Sequence, residues 1–568
     1  MARVGFESSP STRRSPRDRA LAAAVLTVAL ALAGADPAPA EGAAAGPTIE
    51  VLKASLGPKG VNGTATLSVF ATGAGSVQVS AWALKPASTY VAAIRRGTCA
   101  KVEPSLVALP KVVTSKTGAA TRQTALTAAQ VAAIRSEVHA TGRVIVRLGA
   151  GTLARCGVMK VASRSPRAGS VTIHLQAPDG SPLAGVPVTY TQTTHDFLFG
   201  VGMTAPDSAI IRQSTADAMA IPLRKFEDLA HIGVNYALPY VSWHMTEPEP
   251  GTFTFEHPDR AYQPTAMRAL GYTLNGHCVI HFLDESFNLP AYVRAMSFQQ
   301  LKAAVSAHVS AVVGRYRGTL QYYTISEPSW PDADPFHLSS AQWVEIVRTA
   351  SQAIRAADPT AKIMVVVVPL DLPNVGYSAT GILDALVKAK VEFDAIGIEV
   401  YPFFFEKDRN GYPAVSAVSS RLDDFARFGK PVFISEMGVP DKPSPQAQAD
   451  WLRSLYAMAF EKPFVAGLAW YFVVDDPFLP GTGLFPDASS PARPVYQAVA
   501  DVIGQRTTAA ATSADRQGTV RIEGYAGDYL MEVGEGAARA SVSVHVAEGR
   551  DVSVVAIVTG GMITVGRD

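Results

Sequence analysis

The chain has 568 residues, 48% of them hydrophobic and 17% charged, long enough for several domains and apolar enough to bury a large core. Its 50 Lys+Arg against 49 Asp+Glu supply neither the basic field that holds nucleic acid nor an acidic tail, so a neutral polymer or small molecule is the easier ligand. No Cys/His spacing of the zinc kind and no phosphate-binding glycine loop is present, so no metal or cofactor is expected.

Residues 1–40 read as an export signal. Arg13, Arg14, Arg17 and Arg19 precede an apolar run from Ala20 to about Ala33, and Ala38-Pro39-Ala40 gives an A-x-A cleavage pattern. The run is shorter than the roughly 20 apolar residues a spanning helix needs, and no later segment reaches that length, so no membrane span is expected after signal removal. Arg13-Arg14 is compatible with a twin-arginine signal, but Ser15 and Pro16 follow where an apolar residue would strengthen it, and the export route stays open. An exported, extracellular protein can oxidise its cysteines, and Cys99 and Cys156 share one N-terminal segment, so these two are expected to pair. Cys278, alone in an apolar run, reads as a buried small hydrophobe.

From 46 to 164 short alternating runs (ATLSVFAT, SVQVSAWAL, RVIVRLG) separated by Gly, Ser and Thr-rich turns predict a β-sandwich. Residues 165–195 hold two further alternating runs joined by Pro178-Asp179-Gly180, a turn signal that predicts a β-hairpin leading into the next domain. Between 196 and 505 the rhythm changes to strand and helix in alternation. Eight candidate strands are FLFGVGM (197–203), VNYALPY (234–240), YTLNGHCVIHF (272–282), QYYTISEP (321–328), KIMVVVVP (362–369), FDAIGIEVYP (393–402), PVFISEMGVP (431–440) and VAGLAWYFVV (465–474). Amphipathic segments such as SFQQLKAAVSAHVSAVVGRY fill the gaps. Eight β/α units in this length predict an α/β fold, a (β/α)₈ TIM barrel. Residues 506–568 return to alternating strands and predict a small C-terminal β domain.

Two of the barrel strands stop on a glutamate, Glu327 in QYYTISEPSW and Glu436 in PVFISEMGVP. A carboxylate at the end of a buried strand is costly unless it is satisfied or used. In a (β/α)₈ barrel the C-terminal strand ends share one mouth, so the fourth and seventh strands set these two groups facing each other across a cleft. Two facing carboxyls without metal ligands suit glycoside hydrolysis, one giving a proton to the leaving oxygen and the other attacking or activating water. Two salt-bridged core glutamates are the bland alternative.

The barrel also resembles the clan A glycoside hydrolases, and within them the xylanase-type barrels of family 10, over most of residues 190–500. Ser326-Glu327-Pro328 is similar to the clan's strand-four Asn-Glu-Pro motif, and Ser435-Glu436-Met437 to its strand-seven motif. SWHMTEPEPGTFTFEHPDR (242–260) and Gly276-His277 resemble further family segments. The resemblance implies a retaining enzyme acting on a β-linked poly- or oligosaccharide, with Glu327 as acid/base and Glu436 as nucleophile. It also implies that His277 contacts the sugar at the cleavage subsite and that Tyr401 hydrogen-bonds the nucleophile, as a tyrosine does there in other clan families. The departures are Ser326 in place of the motif asparagine, Ser242 in place of a lysine, His281 in place of a tryptophan, and Glu399-Val400-Tyr401 in place of Gln-x-His. The remaining candidate substrate contacts are Trp243, Trp330 and Trp470, which could stack on sugar rings, with Glu399. Asp284, Glu285, Asp475 and Asp476 are expected at the cleft rim. The competing function is a carbohydrate-binding or adhesive surface protein on a barrel that has lost turnover.

Overall fold

The computed structural model describes residues 48–567 apart from 58–62, 150–153, 203–220, 284–287, 332–333, 477–478 and 537–538. The predicted export segment therefore lies outside the described residues. No described helix is long and apolar enough to cross a membrane.

The N-terminal segment is a sandwich of a five-stranded and a four-stranded antiparallel sheet, built from strands between Thr48 and Arg164. One element escaped the sequence reading, a helix at Ala128–Thr141. Thr127 starts it through a capping box, its hydroxyl accepting from the Gln130 N–H while the Gln130 side chain takes the Thr127 N–H. Val131, Ile134 and Val138 then face the sandwich core at helical spacing. Cys99 and Cys156 are joined by a disulfide, as expected.

The predicted hairpin of 165–195 is corrected. Its turn forms, with Gly180 in the left-handed region at φ 82° and the Asp179 carboxylate taking the Ser181 N–H. Beyond a single bridge from Gln176 to Pro182, however, the two strands part. Ala168–Gln176 joins one four-stranded sheet between Thr519–Tyr525 and Asp551–Thr559, while Pro187–Gln192 joins a second between Ala509–Ser513 and Gly527–Val533. The lead-in and the C-terminal strands are thus one β-sandwich, with its own core of Val171, Ile173, Val188, Ile522, Tyr529 and Met531, and the barrel is inserted into it.

The barrel closes as expected with eight parallel strands: β1 (Leu198–Gly202), β2 (Tyr236–Leu238), β3 (Thr273–Ile280), β4 (Tyr322–Ser326), β5 (Lys362–Val367), β6 (Ala395–Val400), β7 (Val432–Met437) and β8 (Val465–Trp470). These strands are buried on both faces, which is why they read as near-continuous apolar runs. The helices Phe298–Tyr316 and Ser340–Ala357 that follow β3 and β4 each begin at a serine capping box, Ser297 with Gln300 and Ser339 with Gln342. Arg167 pins the second sandwich to the barrel: its guanidinium donates to the carbonyls of Phe460, Lys462 and Val465 and lies over the rings of Phe197 and Phe460. Arg135, on the N-terminal helix, joins the two sandwiches by bonding Glu50 and, in bidentate fashion at 2.8 and 2.9 Å, Glu523.

Candidate active site

Four barrel strands, β3, β4, β6 and β7, bring their side chains together around two carboxylates. β7 carries Glu436, 8% exposed. His277 in β3 approaches its Oε1 to 3.1 Å, and the Tyr401 hydroxyl, one residue past β6, donates to its Oε2 at 3.0 Å. Glu327 directly follows β4, likewise 8% exposed. Its backbone sits in the left-handed region at φ 49°, sparsely populated for any residue but glycine, and its N–H is tied to the Val366 carbonyl at 2.8 Å. His281, just past β3, holds Glu327 Oε2 at 3.0 Å. Each glutamate is therefore fixed by its own imidazole from the same strand.

A third carboxyl, Glu399, 5% exposed, lies next to last in β6, opposite Glu436 in the ladder. Burial, followed by the charges of Glu327 and Glu436, pushes Glu399 well above the ordinary carboxylate range. For Glu327 burial pulls in the same direction, but chiefly the charge and hydrogen bond of His281 outweigh it and hold the group below that range. Ser326, at the end of β4, is 2% exposed, and Cys278 in the neighbouring β3 is 1% exposed. Burial, with the nearby carboxylates, pushes that thiol up, in keeping with an inert buried cysteine.

The aromatic residues divide. Trp330 is half-buried, edge-on to Tyr377 and Phe404. Trp243 and Trp470 are wholly buried, and this corrects their reading as stacking platforms. The Trp243 ring lies flat on His308 and its N–H is given to Glu247 at 3.0 Å, while the Trp470 N–H goes to the Thr482 carbonyl at 2.8 Å. Both indoles are satisfied by the protein's own acceptors. Asp475 is held by Arg493 through two contacts of 2.6 Å and takes the Gly483 N–H, which makes it a loop brace. Asp476 is buried rather than rim-exposed, and Asp284 and Glu285 lie outside the described residues.

Sequence reasoning missed two groups. Tyr240 and Tyr471, just past β2 and β8, share a hydrogen bond between their hydroxyls and present their rings edge-on to His277. Phe403, 53% exposed, stacks on Tyr401 at 5.4 Å. The available signals were tyrosines at two strand ends and the run Phe403-Phe404-Phe405 after the sixth strand. A separate cavity of about 440 Å³, lined by His195, His231, Asn235 and Gly504 among others, includes none of these residues. Among the described residues no group of three His, Cys, Asp or Glu is arranged to hold a metal ion.

Residues 230–502 match the family model for glycosyl hydrolase family 10. An endo-1,4-beta-xylanase of Agaricus bisporus is 25% identical over 282 residues, 46% of this chain and 80% of its own length. Endo-1,4-beta-xylanase 5 of Pyricularia oryzae is 26% identical over 297 residues, 48% of this chain and 69% of its own length. Among solved structures, xylanase 10B from Thermotoga petrophila in complex with xylobiose aligns at 17% identity with a TM-score of 0.42, over 54% of this chain and 94% of that one.

Proposed function

We propose, from the premise that this barrel is that of a clan A glycoside hydrolase close to family 10, that the chain is an extracellular enzyme cleaving a β-1,4-linked polysaccharide of the xylan kind with retention of configuration. Glu436 is the nucleophile and Glu327 the acid/base. The observation that carries this reading is the pair of buried carboxyls, each at a strand end of one barrel mouth and each fixed by its own imidazole.

The chemistry follows from charge. Glu436, oriented by Tyr401 and His277, attacks the anomeric carbon while Glu327 gives a proton to the leaving oxygen. Once Glu436 is esterified its negative charge is gone, and Glu327, now ionised, takes a proton from the water that releases the sugar. The sugar contacts proposed are His277, Trp330 and the exposed face of Phe403. Ser326 is shorter than the asparagine of the clan motif, and His281 is engaged with Glu327. The sugar at the cleavage point is therefore held differently than in an ordinary family member, and the preferred backbone or its decoration differs with it.

Glu436→Ala should abolish turnover, and azide entering the vacated space should give a glycosyl azide of inverted configuration. Glu327→Ala should lose about 10²–10⁴-fold on a substrate with a poor leaving group and still form the covalent intermediate from an activated aryl glycoside, which azide releases with retained configuration. Opposite stereochemistry in the two azide products would reverse the assignment. The competing reading, a carbohydrate-binding protein without turnover, draws on Ser326 and Ser242. A wild-type protein that binds polysaccharide and hydrolyses none across a β-glycan panel would select it.

A further inference from the structure

Tyr236 and Leu238 of β2 and Ala469 of β8 belong to the apolar layer inside the barrel. Side chains alternate between the faces of a strand, so Tyr240 and Tyr471, each two residues further on, turn inward at the mouth. β2 and β8 pair with β1 from opposite sides. β1 ends on Gly202, where a Cβ would come within 2.5 Å of the Tyr471 ring. The missing side chain lets the two rings reach each other across the end of β1, where their hydroxyls are hydrogen-bonded. This bridge stands directly behind the groups that hold Glu436: ring centres lie 5.1 Å from Tyr240 to His277, 5.8 Å from His277 to Tyr471 and 6.4 Å from Tyr471 to Tyr401. Tyr240 and Tyr471, 5% and 7% exposed, are as enclosed as the two glutamates. The other end of the mouth is built differently. The Trp330 N–H returns to the Glu327 carbonyl at 3.0 Å, which sets the indole beside the proton donor, and the Phe403 ring beyond β6 stays 53% exposed.

Resting on the glycosidase reading above, we infer that the Tyr240–Tyr471 bridge ends the cleft behind the sugar that Glu436 attacks, so that the enzyme removes one sugar at a time from the non-reducing end of a β-linked chain instead of cutting within it. The part of the substrate that leaves with the protonated oxygen lies on the side of Glu327 and Trp330. The sugar bonded to Glu436 lies on the side of His277, and anything attached to its far end would have to pass through the two phenols. A chain interior is refused by that clash, and a chain end is not. The bonds exchanged are those of ordinary hydrolysis: water gives its hydroxyl to the anomeric carbon of the terminal sugar, and through Glu327 its proton to the oxygen of the shortened chain.

The wild-type enzyme, given β-1,4-xylo-oligosaccharides reduced at one end to the alditol, should release the monosaccharide as its only early product and lower the viscosity of xylan late. A bulky ether on the terminal 4-hydroxyl should cost about 10²-fold or more in kcat/KM. Tyr471→Ala should open the end, cleave the capped chain at least roughly 10-fold better relative to the free one, and release disaccharide early. Tyr471→Phe keeps the ring and should keep the refusal. Binding reads the same feature without turnover and with both tyrosines intact: calorimetric titration of Glu436→Ala should show the capped oligosaccharide binding at least about 10-fold more weakly than the free one. Early products of mixed length from the wild type, or capped and free chains handled alike, would overturn the closed end and leave the glycosidase reading standing. Discrimination in binding by a protein whose wild type hydrolyses nothing would keep the closed end and remove the glycosidase reading instead. Free chains neither hydrolysed by the wild type nor bound by Glu436→Ala would remove both.

Discussion

The Tyr401 hydroxyl donates to Glu436 from a phenol whose ionisation is pushed well up, by burial first and then by the charges of Glu436 and Glu399. It therefore remains a donor across any working pH and favours the charged form of Glu436. A hydrogen bond to a charged group is worth about 1.5–3 kcal/mol, so Tyr401→Phe should lower the rate of intermediate formation by roughly 10- to 10²-fold. Pre-steady-state release of an aryl leaving group measures this, and a loss under threefold would mean that His277 alone orients Glu436. The residue-scale reading was legible in part. Glu327 and Glu436 stood out because a carboxylate closing an apolar strand is physically anomalous. The hold of His281 on Glu327 and the pairing of Glu399 with Glu436 did not, because contacts between different strand ends depend on stagger around the barrel, including the register slip between Ile398 and Glu399, which no local pattern encodes. Trp243 and Trp470 misled for a related reason: an indole carries both an apolar face and an N–H, and sequence does not reveal whether a sugar or a backbone carbonyl satisfies it.

At the scale of elements, the disulfide joins the segment just after strand Thr89–Gly97 to strand Arg155–Val158, across the intervening Val144–Leu148 of the same sheet. It closes a loop of 57 residues in sequence and lies wholly within the N-terminal sandwich. Reduction should destabilise that sandwich by about 2–4 kcal/mol and leave the barrel's unfolding transition in place. Calorimetry with and without reductant reads the two transitions, and a barrel midpoint that falls equally would show the domains unfolding as one. The barrel strands were legible because strands buried on both faces leave continuous β-branched runs, set off by amphipathic helices with serine caps. The pairing of Ala168–Gln176 and Pro187–Gln192 was not. Their turn chemistry is local and was read correctly, but their real partners, such as Ile522 for Val171 and Met531 for Tyr190, lie beyond the barrel in sequence.

For the whole molecule, the insertion of the barrel between strands of one sandwich makes the two flanks unequal. Removal of residues 506–568 strips both lead-in strands of their partners and uncovers the core around Val171 and Val188, so this truncation should be insoluble or aggregate. Removal of residues 1–164 costs the Arg135 and Arg164 bonds to Glu523, the Thr48 carbonyl that Tyr525 holds and part of a buried apolar core, but leaves every strand pairing of the second sandwich in place. That truncation should stay soluble and retain hydrolysis within a few-fold of the full chain. Soluble yield and activity of the two truncations measure the asymmetry, and equal behaviour would contradict it. The insertion also orders events in time. A ribosome adding about 5–20 residues per second emits Pro187–Gln192 roughly 15–60 s before Ala509–Ser513 appears, and for that interval two apolar strands wait with bare edges. Closure of the barrel, which brings its two chain ends side by side, is what ends the wait, so a nascent chain whose barrel stalls keeps two sticky edges on display and marks itself for quality control.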